Sequence, residues 1–123
     1  MKLHLDRQSG QNAITGYGDG YVLINHHRFE TSVIVLPGRL VTDWENKHFE
    51  TLQAADFERL RDLQPELVLL GTGVRQRFPA GVLLRPLIEA RIGFEIMDTG
   101  AACRTYNILM GEGRNAAAAL LFV

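Results

Sequence analysis

The second half of the sequence alternates short apolar runs with helical patterns, and this alternation restricts the fold more than any other feature. The predicted strands cover Glu66–Leu70, which is apolar after its first residue, Phe94–Met97 and Ala116–Val123, and helical patterns cover Leu83–Arg91 and Ala101–Met110. The first of these runs, Glu66–Leu70, is typical of a strand that is buried on both faces. Because a helix between two such strands makes a crossover connection, the pattern predicts a β-α-β-α-β unit with three parallel strands.

The first half of the sequence predicts a β-hairpin region. Residues 7–20 are polar and rich in glycine and asparagine, so we expect a loop there, after a short strand near Leu3–Leu5. Two β-prone runs, Tyr21–Asn25 and Phe29–Leu36, are separated by a short polar break, which is typical of a hairpin. Leu40–Trp44 is a candidate for one more short strand.

One further helix is expected before the alternating unit. Ala54–Leu63 predicts an amphipathic helix because its apolar side chains recur three residues apart, and Pro65 ends it. Gly93 stands where a glycine commonly ends a helix. With 123 residues the chain has the length of one domain, so we expect a single α/β domain over residues 1–123.

Composition argues against several classes of protein and site. The formal net charge is -1 and the basic residues are scattered, so we expect no binding to nucleic acid. Cys103 is the only cysteine and the four histidines show no ligand spacing, so we expect no intrachain disulfide and no metal site. The sequence shows neither a signal peptide nor an apolar run long enough for a membrane span, which predicts a soluble, cytoplasmic protein.

Two glycine-rich strand ends form the candidate site. Gly71-Thr72-Gly73 follows one predicted strand and Asp98-Thr99-Gly100 follows the next, and a polar loop comes after the first of them. Ligands bind outside the carboxyl ends of the strands in open parallel sheets, so we expect the two loops to share one crevice. The candidate ligand-binding residues are Gly71, Thr72, Gly73, Asp98, Thr99, Gly100, Arg104, Thr105, Tyr106, Asn107 and Arg114.

Two interpretations of this cluster stay open. Glycine lets backbone N–H groups approach a ligand, and the helix after Asp98 offers a positive dipole end, so a small anionic ligand would suit the crevice, with Arg104 and Arg114 supplying positive charge. In the alternative, the glycines only make tight turns and Asp98 or Thr99 is a helix N-cap. Tyr106 and Asn107 would then face the core and satisfy backbone groups.

Familiar catalytic motifs match this sequence poorly. Gly71-Thr72-Gly73 lacks the third glycine of a dinucleotide fingerprint, because Gln76 occupies that position. Asp98-Thr99-Gly100-Ala101 matches the tetrapeptide of aspartic proteases, but the residues after it form a helical pattern and those proteases are all-β. A helix N-terminus can activate a thiol, yet no histidine lies near Cys103 in sequence, which favours a buried, unreactive side chain. We therefore predict no catalytic residue.

The run from Met97 to Asn107, with Gly71-Thr72-Gly73 upstream and Glu112 and Arg114 downstream, resembles a known family. It is similar to the small bacterial and archaeal domains of unknown function that are related to mitochondrial complex I assembly factor 3 and to the adipogenesis-associated domain protein. The resemblance covers most of the chain and is strongest from Leu67 onwards. It implies a three-layer α/β fold with a mixed central sheet, and no established enzymatic activity or cofactor.

Two functional hypotheses follow. The first is a non-enzymatic binding or assembly-factor-like domain that acts through a protein partner, as the resemblance implies. The second is a small-molecule binder or enzyme that uses the crevice for an anionic ligand. The sequence predicts where the site lies more directly than what it does.

Overall fold

The computed structural model describes residues 10–44 and 46–122. The short strand expected near Leu3–Leu5 lies outside these residues. Within the described part, the strands are β1 (Ile14–Gly18), β2 (Tyr21–Ile24), β3 (His27–Phe29), β4 (Val33–Leu36), β5 (Arg39–Val41), β6 (Leu67–Thr72), β7 (Gly93–Met97) and β8 (Ala116–Leu121). The α-helices are α1 (Ala54–Asp62), α2 (Arg85–Glu89) and α3 (Thr99–Gly111), and short 3₁₀ helices cover Phe49–Thr51 and Gly81–Leu84.

The strands form two sheets. The larger sheet has the order β5-β4-β8-β6-β7, and the smaller one has the order β1-β2-β3. Strand β6 is parallel to both β7 and β8, whereas β4 is antiparallel to β8 and to β5. The prediction of a mixed sheet whose last three strands are parallel is therefore confirmed.

The large sheet lies between two hydrophobic cores. On one face, α1 and α2 pack through side chains such as Phe57, Leu60 and Leu87. On the other face, α3 and the small sheet share a second core that includes Tyr106 and Met110. Alternate residues of β8 enter the two cores, which explains why its sequence is apolar throughout.

The hairpin region differs in detail from the prediction. Residues 14–18, expected within a loop, form β1, because Ile14 is buried and the segment pairs with β2. The turn lies at Asn25 and His26, whose positive φ angles of 53° and 68° suit a tight two-residue hairpin turn. The apolar run Phe29–Leu36 is divided, because its first residue ends β3 in the small sheet and its last four form β4 in the large sheet.

The connection from β6 to β7 also differs in detail. The expected helix over Leu83–Arg91 is a 3₁₀ turn followed by the short helix α2. The prediction that Gly93 ends this helix is wrong. Gly93 opens β7 opposite Leu67, and the left-handed residue after α2 is Arg91, with a φ of 58°.

Candidate functional site

The two glycine-rich loops meet at one end of the large sheet. Because β6 and β7 are parallel neighbours, their carboxyl ends both lie there, and β8 ends beside them. The backbone N–H of Thr99 donates to Gly73 O at 2.9 Å, and the backbone N–H of Gly73 donates to Thr99 Oγ1 at 2.8 Å. The structure therefore brings Gly71–Gly73 and Asp98–Gly100 together.

A crevice of about 210 Å³ opens beside these loops. Its walls are the turn between β1 and β2, the start of α3 and the ends of β6 and β8; they consist of Tyr17, Gly18, Asp19, Gly20, Gly73, Val74, Asp98, Thr99, Gly100, Leu121 and Phe122. Its volume lies below the range of about 300–1,000 Å³ that is usual for ligand pockets. The turn of the small sheet was not among the residues predicted for the site, because it approaches only through the packing of β1 on α3.

The glycines of the two motifs permit close packing of elements. A Cβ atom at Gly71 would lie 3.0 Å from the Cα atom of Thr99, so glycine lets the first turn of α3 lie against β6. A Cβ atom at Gly100 would lie 3.0 Å from the ring of Tyr17, so glycine there lets the small sheet approach α3. Gly73 has a φ of +98°, which only glycine adopts without strain.

Thr72 shapes the loop that follows β6. This residue is fully buried, and its Oγ1 lies 2.8 Å from Arg75 O and 3.2 Å from Met97 O. The same oxygen accepts a hydrogen bond from the backbone N–H of Arg77 at 3.0 Å. One buried hydroxyl therefore fixes both the end of β7 and the course of residues 73–77.

Asp98 and Thr99 join the start of α3 to the sheet. Asp98 is the N-cap of α3, and its Oδ1 accepts from the backbone N–H of Ala101 at 2.8 Å. Thr99 Oγ1 donates to Leu121 O at 2.5 Å while it accepts from Gly73. The polar side chains of both motifs are thus hydrogen-bonded within the protein. This is the arrangement expected if the motifs make tight turns and cap the helix.

Four residues further along α3 divide between the surface and the core. The Arg104 guanidinium donates to the Tyr17 hydroxyl and lies 5.8 Å from the centre of that ring. The Tyr106 hydroxyl is buried and donates to Asn12 O at 2.8 Å. Asn107 is also buried, and Thr105 is half-buried and does not line the crevice.

Asn107 holds β1 against α3. Its Oδ1 accepts from the backbone N–H of Ile14 at 3.0 Å, and its Nδ2 donates to Ile14 O at 2.7 Å. A single amide side chain thus satisfies both backbone groups of one strand residue. Tyr106 and Asn107 face the core, as the alternative interpretation has it.

Arg114 lies at the opposite end of the sheet from the crevice. Its Nε is 3.9 Å from Glu66 Oε1, just before the start of β6. Helix α3 runs away from the crevice for its whole length, about 20 Å at 1.5 Å per residue, and leaves Arg114 near its far end. The structure therefore separates Arg114 from the other residues predicted for the site.

Cys103 is buried in the core on α3. Burial raises the pKa of its thiol to about 12, and this effect outweighs the opposing influence of the nearby Arg104. The thiol is therefore protonated at neutral pH and packs as a small apolar side chain.

The loop after β6 is less polar at its surface than its sequence indicated. The side chains of Val74, Phe78 and Val82 have exposed fractions of 82%, 70% and 64%. Arg75 and Arg85 are exposed in the same segment. The four-residue spacing of the apolar side chains was the available sequence signal, but no regular helix accompanies it.

Two further features of the described residues concern metal binding and membrane insertion. Across residues 10–44 and 46–122, no three His, Cys, Asp or Glu side chains group in a way that could hold a metal ion. In the same residues, no helix has the length and apolar character that crossing a membrane requires.

Comparison with known proteins relates the chain to one family. A family model described as "Protein of unknown function (DUF498/DUF598)" matches residues 14–121. The crystal structure of a protein from Bordetella parapertussis is similar, with 39% identity and a TM-score of 0.86 over 94% of this chain and 98% of that chain. This similarity confirms the predicted α/β fold.

Two curated relatives carry descriptive names. NADH dehydrogenase (ubiquinone) 1 alpha subcomplex assembly factor 3 from Homo sapiens is 31% identical in an alignment of 120 residues that covers 95% of this chain. The chain spans 65% of the length of that protein and 59% of its Bos taurus counterpart. A Francisella tularensis protein named "13 kDa major membrane protein" is 26% identical over 67% of this chain and 68% of that protein.

Proposed function

We propose that this chain, which belongs to the DUF498/DUF598 family, is an assembly-factor-like domain that acts by binding other proteins and catalyses no reaction. The relationship to the assembly factors covers nearly the whole chain, including both strand-end motifs and α3. In this proposal the protein is cytoplasmic, and its partner is a subunit or an intermediate of a larger complex.

One structural observation carries the proposal. Val74 stands at the rim of the crevice with 82% of its surface exposed, and Phe78 follows it with 70% exposed. The loop that presents them is fixed by the buried hydroxyl of Thr72. Exposed apolar side chains on a fixed loop are typical of a surface that another protein covers.

The contacts at the crevice do not favour a small anionic ligand. Thr72, Thr99 and Asp98 are hydrogen-bonded within the protein, and Arg104 contacts Tyr17. A ligand would have to displace these contacts, and buried groups left without partners cost free energy. Binding of a protein at the rim of the crevice requires no such displacement.

Deletion of the gene in the native host tests the proposal. We expect at least one multi-subunit complex to accumulate as a smaller intermediate on native gels, and the wild-type gene to restore the full complex. Affinity purification of the full chain after chemical cross-linking is expected to recover a protein of that intermediate. If every complex assembles normally without the gene and no protein is specifically cross-linked, the proposed function is wrong.

A further inference from the structure

The geometry points to one partner chemistry: we infer that the surface formed by Val74, Arg75, Phe78, Val82 and Arg85 binds a protein segment that carries carboxylates beside apolar side chains. This inference rests on the proposed function and specifies the partner of the same region of the molecule. The five residues are called the 74–85 surface below. They lie on one continuous stretch of chain that leaves β6, passes the rim of the crevice and enters α2.

Within the described part of the chain, most of the exposed large apolar side chains lie on this surface or next to it. Among residues 10–44 and 46–122, the exposed large hydrophobic residues are Val74, Phe78, Val82, Ile88 and Ile108. Three of these five belong to the 74–85 surface, and Ile88 follows in α2. Scattered single apolar residues are normal on a protein surface, whereas several of them exposed along one short segment favour an interaction site.

The loop is held in place before any partner binds. Gln76 Nε2 donates to Ile96 O at 2.7 Å, which ties the loop to the edge strand β7. Arg77 donates to Thr72 O at 3.0 Å and to Glu50 Oε1 at 2.9 Å, and its guanidinium lies 4.5 Å from the centre of the Phe49 ring. A surface that is already ordered loses less conformational entropy when it binds.

Positive charge predominates in the segment that carries this surface. Residues 74–91 contain four arginines and a single acidic residue, Glu89, although the whole chain has a net charge of -1. Arg77 forms an ion pair with Glu50, whereas the side chains of Arg75 and Arg85 are exposed. Guanidinium groups pair with carboxylates in a two-point geometry, so acidic side chains complement this surface.

The composition favours a protein segment over a lipid surface. Electrostatic attachment to anionic membranes uses clusters of about 4–8 basic residues, and this surface exposes Arg75 and Arg85. Aromatic and arginine side chains are enriched where proteins contact each other, and Phe78 lies between these two arginines in sequence. An acidic, partly apolar peptide matches both the charges and the exposed side chains.

Selection from a random peptide library displayed on phage tests this inference with the full chain as the target. We expect the enriched peptides to combine Asp or Glu with apolar residues. The Val74→Ser/Phe78→Ser double variant should weaken binding of such a peptide about tenfold or more. Arg75→Gln/Arg85→Gln should weaken it severalfold and remove most of its dependence on salt.

Two control variants separate this surface from general effects of surface change. Ile108→Ser replaces another apolar residue, 61% exposed on α3, and Arg114→Gln replaces an arginine near the opposite end of the sheet. Both controls should bind the selected peptide as the wild type does. Circular dichroism and thermal unfolding of every variant establish that a loss of binding is not a loss of folding.

Each contrary outcome overturns the inference in a recognisable way. Enrichment of neutral or basic peptides, or binding that is unchanged by Val74→Ser/Phe78→Ser, excludes the proposed chemistry or the proposed surface. Binding to phosphatidylcholine vesicles that contain phosphatidylglycerol, lost in that variant and without enrichment of acidic peptides, would assign the surface to a membrane. If a native partner is still cross-linked to Val74→Ser/Phe78→Ser, the proposed function stands and only this inference fails.

Discussion

Gly73 and Thr99 hold each other by two reciprocal hydrogen bonds, one from each backbone N–H. The pair joins the end of β6 to the first residue of α3, and Thr99 extends the connection to β8 through Leu121 O. This relationship gives the two strand-end motifs a structural role that is independent of any ligand.

Removal of the Thr99 hydroxyl should destabilise the fold. Thr99→Val keeps the shape of the side chain but leaves the buried Gly73 N–H and Leu121 O without their partner, which should lower the free energy of unfolding by about 2–3 kcal/mol. Thr99→Ser retains the hydroxyl and should cost clearly less. Urea denaturation measures both, and equal losses in the two variants would contradict the role of the hydroxyl.

An added methyl group at Gly71 should disturb the packing of α3. In Gly71→Ala the new Cβ would lie 3.0 Å from backbone of Thr99 and 3.2 Å from the Cβ of Ala102, so we expect a loss of about 1–3 kcal/mol. Gly38→Ala is the matched control, because apart from its chain neighbours no atom lies within 4 Å of the position that its Cβ would take. Thermal unfolding should show a lower Tm for the first variant and no decrease for the second.

Substitution of Asn107 should loosen the small sheet. Asn107→Leu removes both hydrogen bonds to Ile14 and should lower the free energy of unfolding by about 2–4 kcal/mol. Hydrogen exchange followed by NMR should show faster exchange of the Ile14 amide relative to the amides of β6. Unchanged protection of Ile14 would mean that the packing of β1, rather than the amide side chain, holds it in place.

The buried thiol of Cys103 should make stability fall at alkaline pH. Its pKa is about 12 in the folded protein, against 9.0 for an unperturbed cysteine thiol, so the unfolded chain releases this proton first as the pH rises. The contribution to stability is therefore complete below about pH 9 and is lost by up to about 1.4 kcal/mol per pH unit as the pH rises towards 12. Cys103→Ala should lack this decline. Chemical denaturation of both proteins across this pH range measures the contribution of the thiol as the difference in unfolding free energy, because the tyrosines contribute equally to both.

A second measurement examines the same thiol at neutral pH. A thiol-specific reagent such as a disulfide-forming aromatic dye should react with Cys103 only after the protein is unfolded in urea. Rapid reaction of the native protein would contradict both its burial and its raised pKa.

The parallel part of the fold was predictable because its signal is local. In β8, Ala117 and Ala118 enter different cores, and such a strand must be apolar at every position. β1 gave a weaker signal, because its glycines and polar residues resemble those of a loop. Its attachment to Asn107 joins residues that are 93 positions apart in the sequence, which no local pattern reveals.

The position of the candidate site was predictable from topology, and its contacts were not. Adjacent parallel strands bring Gly73 and Thr99 together whatever their side chains do. Whether the Thr72 and Thr99 hydroxyls form hydrogen bonds within the protein depends on differences of a few tenths of an ångström in the distance to their partners. Arg114 was predicted to belong to the site, and it lies close to α3 in the sequence. The sequence does not reveal that α3 ends near the other end of the sheet, where Arg114 lies.

The position of β8 has a consequence for synthesis of the chain. β8 is the last of the described strands in sequence, yet it lies in the middle of the large sheet between β4 and β6. During synthesis, β4 and β6 therefore leave the ribosome long before β8, which joins them. The apolar side chains of both strands stay exposed until β8 pairs with them. Newly made chains that stop short of Ala116 would lack the centre of the sheet, which makes them natural clients for chaperones and proteases.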